Sequence, residues 1–555
     1  MTAVKVAYFS MEIALWSDVP NYAGGLGVLA ADMMHSFADL DYPAVGVSLI
    51  YHQDDDLKKG FNPETVMKRV PEMVEVTIEN RQVKVGAFVH QVKGISGKTV
   101  PIYFLTTNLS ENPRWDRDLT KDLYASSNAY TRLGQEVILG IGGVRMLRKL
   151  GYATIENFHM NEGHSAFLTL ERLKEEQGDV AAVKKSCTFT THTPVPEGHD
   201  HFDYVLVYQV LGSLVPANIR QLATDQSLSM THLALNLSKA TNSVSEVHHG
   251  VCERMFQGYS FQNVTNGIHL PTWVSDPIRE LFQQHFPSWE QEPNQLEQLS
   301  QISLQDELLA AHRKNKQDLI DWINVHQEFF PAFDNPSGDD GFDDETLTIA
   351  FARRFVAYKR PSLIFQNLQR LRELGYRKIQ IIFAGKCHPS DESCAHLRAD
   401  VRHYAEELRG QVKIALIPDY SPDIARKLVC GADLWLNAPI RSREASGTSG
   451  MKAALNGLLN LSTWDGWWVE GFARHPEAGW GFGDHSQGLP DDQRDQRDAE
   501  ELYVCLEDIV DCYYDRPEEW LRRMQLALAL AGYFNTSRCI GEYEERLWGV
   551  GRDNS

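Results

Sequence analysis

Between residues 346 and 455 a short apolar run is followed by an amphipathic segment four times over, and this alternation restricts the fold of the 555-residue chain more than any other feature. The runs are TLTIAFARRF, KIQIIFAGK, QVKIALIPDY and DLWLNAP. Each is too short for a buried helix and too uniformly apolar for a half-exposed strand, so each reads as a strand covered on both faces. The segments between them, YKRPSLIFQNLQRLREL and the one containing DESCAHLRADVRHYAEELRG, carry helical periodicity. A third opens with Ser421 as N-cap and Pro422 at the first helical position. Strand–helix alternation of this kind predicts a parallel, doubly wound sheet, with ligands beyond the carboxyl ends of its strands.

The first half repeats the pattern less cleanly. VKVAYFSM (4–11) reads as a strand, AGGLG (23–27) as a turn, and Leu26, Leu29, Ala30, Met33, Met34, Phe37 and Leu40 as one face of a helix. AVGVSLI (44–50), VKVGAFVH (83–90), VPIYFLTT (100–107) and SCTFTTH (186–192) are further strand candidates, with helices expected over 134–150 and 165–176. Residues 275–327 read as mainly helical, 331–345 as an acidic loop, and 535–548 as a capped helix.

The net charge of −21 argues against a nucleic-acid binder, although a local cationic pocket can still hold a phosphate. Eight scattered cysteines with no CxxC pair fit a reducing compartment. With no leader pattern and no run long enough to span a bilayer, a soluble cytoplasmic protein with no membrane partner is expected.

Two stretches suit anions. In EASGTSGMKAALNG (444–457) a helix beginning near Thr448 would present its N-terminal N–H groups, with Gly447 and Gly450 allowing close approach and Lys452 one turn on. FARRFVAYKRP places Arg353, Arg354, Lys359 and Arg360 at a strand-to-helix turn. In the first half, HMNEGHSAF (159–167) offers Asn161, Glu162 and His164, and FTTHTPVPEGHDHF (189–202) offers His192, His199 and His201. Their spacing matches no usual metal-ligand set and Pro194 and Pro196 break any helix, so no metal is expected and a polar sugar-contact loop is the better reading. NVTNGIHLPTW (263–273) adds Asn266 and Trp273.

Taken in order, YFSMEIAL, AGGLGVLAADMMHSFADL, HMNEGHSAF, FTTHTPVPEGHD, NVTNGIHLPTW, FARRFVAYKRP, EASGTSGMKAALNG and DGWWVEGF resemble the α-glucan phosphorylase family of glycogen, starch and maltodextrin phosphorylases, in its shorter bacterial and archaeal form. The resemblance implies two Rossmann-like doubly wound α/β domains facing a central cleft, the GT-B type of glycosyltransferase fold. Residues 1–268 would form the glucan domain and 269–555 the pyridoxal-phosphate domain, with the last helix crossing back to the first. It further implies reversible, retaining phosphorolysis of the non-reducing terminal glucose of an α-1,4-glucan to α-D-glucose 1-phosphate. In the family pyridoxal 5'-phosphate is anchored on the lysine matching Lys452, and its phosphate serves as proton relay to inorganic phosphate. Gly447, Thr448, Ser449, Gly450 and Arg353 would hold the cofactor phosphate, while His164, Tyr420 and Trp273 would line the cofactor pocket. Arg354 and Lys359, with backbone N–H groups near Gly25, would hold the substrate phosphate. Glu444, Asn266 and His192 would contact the glucosyl unit, the His192 carbonyl stabilising the cationic sugar. Expected partners are the glucan, inorganic phosphate and glucose 1-phosphate, with a homodimer as a compatible assembly and no nucleic acid.

Two positions depart from the pattern. Asp419 stands where the familiar relatives have Asn, and YHQDDDLKKGF (51–61) replaces a short aromatic turn. Only Met1 to Ala3 precede the first strand, so a constitutive enzyme without an N-terminal regulatory segment is expected. Two alternatives stay open from the sequence: a sugar-nucleotide-dependent glycosyltransferase on the same fold, and a noncatalytic glucan-binding protein.

Overall fold

Strand placement follows from burial: in the computed structural model every residue of Leu347–Ala352 and Ile379–Ala384 is buried. Residues 3–17, 19–53, 60–124, 128–330, 341–353, 355–375, 378–385, 392–418, 420–486 and 488–549 are described. The chain divides into two units, one running to Thr265 and rejoined from Thr536, the other Asn266–Asn535.

In the first unit the main strands are β1 (Ala3–Phe9), β2 (Ala44–Leu49), β3 (Arg81–Lys93), β4 (Thr99–Thr106), β5 (Thr154–Asn161), β6 (Cys187–Thr190), β7 (Ala240–Ser243) and β8 (Gln262–Asn263). Their order is β8-β7-β6-β5-β1-β2-β4-β3, parallel except where β3 runs antiparallel to β4. Chain order reverses between β1 and β5, which makes their carboxyl ends a switch point where ligands bind in such sheets. Helix α1 (Gly25–Asp39) connects β1 to β2 and buries the face carrying Leu29, Ala30, Met33, Met34 and Phe37.

The second unit holds β9 (Leu347–Ala352), β10 (Ile379–Ala384), β11 (Lys413–Ile417), β12 (Leu434–Asn437), β13 (Leu459–Thr463) and β14 (Gly479–Phe482). All are parallel, in the order β11-β10-β9-β12-β13-β14. This is the 3-2-1-4-5-6 order of nucleotide-binding folds, with the switch point between β9 and β12. Helix α2 (Gln305–Val325) precedes the sheet. Helix α3 (Pro422–Gly431) is capped by the Ser421 hydroxyl and has Pro422 in its first turn. Helix α4 (Thr448–Leu455) follows β12. Helix α5 (Thr536–Tyr543) belongs to the first unit, where Cys539, Ile540, Tyr543, Leu547 and Trp548 share one apolar cluster with Val6, Met34 and Phe37.

One expected helix is different. Residues 357–365 form two separate 3-10 turns, and the α-helix starts only at Leu368. Arg360 precedes Pro361, which disfavours the right-handed helical region, and it adopts φ 50° in the left-handed one. Among the described residues no helix is long and apolar enough to cross a membrane.

Candidate functional site

In the second unit the chain leaves β9 and β12 side by side, so Arg353 and Asn437 meet at the switch point and the guanidinium donates to Asn437 Oδ1. Its other nitrogen lies 2.7 Å from Glu444 Oε2. Lys359 donates to that same oxygen. Both cations are buried, and the Glu444 side chain is 11% exposed. Burial pushes the Glu444 carboxyl up, but Arg353 and Lys359 outweigh it and hold the group down at about 2. Arg360 takes no part: its guanidinium is bound by the Ala438 and Pro439 carbonyls and by Asp495 and Asp498.

The turn from Glu444 to Gly450 is latched to the DGWW turn. Asp465 accepts the Glu444 N–H at 2.9 Å and the Gly466 N–H at 2.9 Å, and Trp467 donates its N–H to the Ser446 carbonyl at 2.8 Å. Burial raises Asp465 to about 7, and the Glu444 charge adds to the rise. Gly447, at φ 86°, leads into α4 with no side-chain cap. The hydroxyls of Ser446 and Ser449 are buried without a hydrogen-bond partner among the described residues. Two hydroxyl donors beside the N–H groups of an uncapped helix N-terminus are the chemistry that suits an anion.

One turn into α4, Lys452 is buried with its Nζ 3.7 Å from the centre of the Trp273 ring. Asn456 fixes that pairing. Its amide donates to the Lys452 carbonyl (2.9 Å) and the Trp273 carbonyl (3.0 Å), and its oxygen accepts the Ser275 N–H (2.8 Å).

The first unit's switch point carries a second set. His164 Nε2 accepts the Met11 N–H at 3.1 Å, so that nitrogen is unprotonated; burial first, then Arg132, lowers the ring to about 3. Glu162 has φ 78° and ψ 161°, a strained conformation for a residue with a side chain. Its carboxylate takes the Gly163 N–H at 2.9 Å, the His192 N–H at 2.7 Å and the Thr193 hydroxyl at 2.8 Å, tying two loops together. His192 Nε2 faces Asn161 Oδ1 at 2.7 Å, and burial with three neighbouring histidines lowers it to about 3. Helix α1 starts at Gly25 with no side-chain cap, and space beside the Gly25 Cα is open to 4 Å. Glu12 accepts the Ala23 N–H (2.6 Å) and the Tyr124 hydroxyl (2.7 Å), bracing the glycine turn. Among the described residues no three His, Cys, Asp or Glu side chains are arranged to hold a metal.

A family profile described as carbohydrate phosphorylase matches residues 216–487. The maltodextrin phosphorylase of Thermococcus litoralis is 34% identical over 98% of this chain and 70% of its own. The glycogen phosphorylase of Aquifex aeolicus is 31% identical over 98% of this chain and 86% of its own. An uncharacterized protein of Methanocaldococcus jannaschii is 32% identical over 98% of this chain and 99% of its own. The chain belongs to the carbohydrate phosphorylase family. It is a glycosyltransferase of the phosphorylase type.

In this phosphorylase the second unit brings Arg353, Lys359 and Glu444 together, and Lys452 onto Trp273. Thr448 and Ser449 form the first turn of α4 beside buried Gly450. Asn266 is buried, and Tyr420 is partly buried against an apolar cluster. Arg354 and Asp419 lie outside the described residues, as do Asp54 to Lys59 of the 51–61 loop and residues 331–340 of the acidic one. His199 and His201 are engaged with Thr231 and Ser227. Residue-by-residue reading of the phosphorylase missed Glu12, Asn437, Asn456 and Asp465. Only Asp465 carried a local signal, the Asp-Gly turn before two tryptophans.

Proposed function

We propose that this phosphorylase catalyses reversible, retaining phosphorolysis of the non-reducing terminal glucose of an α-1,4-glucan to α-D-glucose 1-phosphate. The observation that carries the proposal is the pairing of a buried amine, Lys452, with two orphaned hydroxyls at the N-terminus of its own helix. That donor set fits pyridoxal 5'-phosphate: Lys452 would anchor it, Trp273 and Tyr420 would border it, and Ser446, Ser449, Gly447–Gly450 and Arg353 would hold its phosphate. When bound, the cofactor supplies a second phosphate that can donate and recover a proton beside the substrate phosphate.

The chain's own residues do the rest. Lys359 and Arg354 hold inorganic phosphate, with N–H donors at the start of α1 near Gly25. Asn266, His192 and Glu444 position the terminal glucose. His164 is neutral and, through the Met11 N–H, keeps the β1 and β5 ends in register. The glycosidic oxygen leaves with a proton from the substrate phosphate, and an oxygen of that phosphate bonds to the anomeric carbon from the same face. The His192 carbonyl faces the positive charge that develops on the sugar. In this reading the fold is of the GT-B type.

The test is to incubate the purified protein with maltoheptaose and phosphate and follow the first product by proton NMR. The expected product is α-glucose 1-phosphate, from protein with a near-ultraviolet or visible cofactor band. A β anomer, or turnover only with a nucleotide sugar, overturns the proposal.

A further inference from the structure

Three proposed ligand contacts converge on one atom. Arg353, assigned to the cofactor phosphate, and Lys359, assigned to the substrate phosphate, both point at Glu444 Oε2, and Glu444 is assigned to the sugar. The carboxylate therefore sits between one cation that the cofactor phosphate would use and one that the substrate phosphate would use. With Glu444 in place the three side chains sum to one positive charge; with it withdrawn the two cations present two.

Only the side chain is free to withdraw. The Glu444 N–H is held by Asp465, Arg443 donates to the Ile440 carbonyl, and the Ser446 carbonyl is held by Trp467. Asn437 stays on Arg353, steadied in turn by Ser462 Oγ at 3.1 Å, so Arg353 keeps a partner when the carboxylate leaves. Buried cations without an anion are costly, which is why a resident carboxylate suits the site when no phosphate is bound.

We propose that Glu444 is an exchangeable anion: with the cofactor phosphate on Arg353, inorganic phosphate displaces its carboxylate from Lys359, and the freed carboxylate is then the acceptor for a hydroxyl of the terminal glucose. This rests on the proposed phosphorolysis and goes beyond it by linking the two substrates. Phosphate binding creates the sugar contact, and by linkage a bound glucan tightens phosphate by the same factor.

The experiment is calorimetric titration of the cofactor-loaded protein with inorganic phosphate, comparing wild type with Glu444→Gln and Glu444→Asp. Gln keeps the shape without the charge. Asp is one methylene shorter and reaches the two cations less well, and it serves if the Gln variant fails to fold. Phosphate alone should bind Glu444→Gln about tenfold more tightly than wild type, with Glu444→Asp between them. A second titration uses inorganic sulfate, an unreactive tetrahedral dianion, with and without maltopentaose. The oligosaccharide should tighten sulfate about fivefold in wild type and leave it unchanged in Glu444→Gln. Equal or weaker phosphate binding in the variants overturns the exchange alone, as does oligosaccharide coupling that survives in Glu444→Gln. Absence of phosphate binding in every protein overturns the proposed phosphorolysis and the exchange together.

Discussion

Glu444 and Asp465 are neighbouring carboxyls that burial and charge push in opposite directions, and the stability of the protein should record both. Folded Asp465 keeps its proton up to about pH 7, well above its ordinary value of 3.8. The native state therefore binds more protons there than the unfolded chain, and stability falls as pH climbs from about 4 to about 7, by up to about 4 kcal/mol. Glu444 has the reverse sign. Its folded value of about 2 lies below the ordinary 4.5, so its contribution is present above that range and is lost as pH falls from about 4.5 to about 2. Scanning calorimetry from pH 2.5 to 8 should show the loss toward neutrality flattened in Asp465→Asn and the acid-side loss flattened in Glu444→Gln. Unchanged pH slopes would refute the assignment. Lys452→Ala should retain fold but lose the cofactor band and activity together, checked by absorbance per chain. A fully active Lys452→Ala protein would end the role given to that residue.

At the scale of elements, two turns are locked into one device. Gly466 has φ 54°, and a Cβ there would lie 2.3 Å from the Ser446 carbonyl oxygen. Neither the backbone conformation nor the neighbouring main chain accommodates a methyl group. Gly466→Ala should therefore separate the DGWW turn from the turn before α4 and cut cofactor retention at least tenfold, measured by absorbance after dialysis. Retention at the wild-type level would show that the latch is dispensable. The cap of α3 gives a milder contrast. Ser421 accepts the Ile424 N–H, and Ser421→Ala should lower stability by about 1 kcal/mol, read from denaturant unfolding, while leaving the cofactor bound.

Across the whole molecule, the end of the chain supplies part of the first unit's core. Trp548 is fully buried, its indole N–H reaches His159 Nδ1 at 3.3 Å, and its ring lies near Phe37, Tyr42 and Tyr543. Ser36 and Thr536 share a hydrogen bond at 2.5 Å, and Lys5 pairs with Glu544. Trp548→Ala should cost about 3–5 kcal/mol in the transition that unfolds the first unit. Calorimetry should show that transition moving to lower temperature. An unmoved transition would mean that the C-terminal segment only rests on the unit. The net charge is −21 while the cations Arg353 and Lys359 are buried at one switch point, so the net charge does not forecast the sign of the ligand held there.

Strands β9 to β12 were legible because each is an apolar run buried on both faces, while β13 and β14 were not read as strands; the anion turn was legible because glycine, hydroxyl and lysine must fall within one helical turn. Of strand β5 only the carboxyl end was read, from HMNEGHSAF. TIENFHMN has a polar residue at most positions, as a half-exposed strand would, yet Asn157, His159 and Asn161 are buried once the neighbouring strands are in place. The helix expected over 358–374 failed at Arg360, where the following proline and four distant acceptors together select a left-handed residue. Family and chemistry were thus carried by short contiguous motifs, since the groups that hold a phosphate on a helix lie within a few residues of one another. Asp465 on Glu444, Asn456 on Trp273 and Glu12 under the glycine turn are separated by 11 to 183 residues, and only tertiary packing at the strand ends brings each donor to its acceptor.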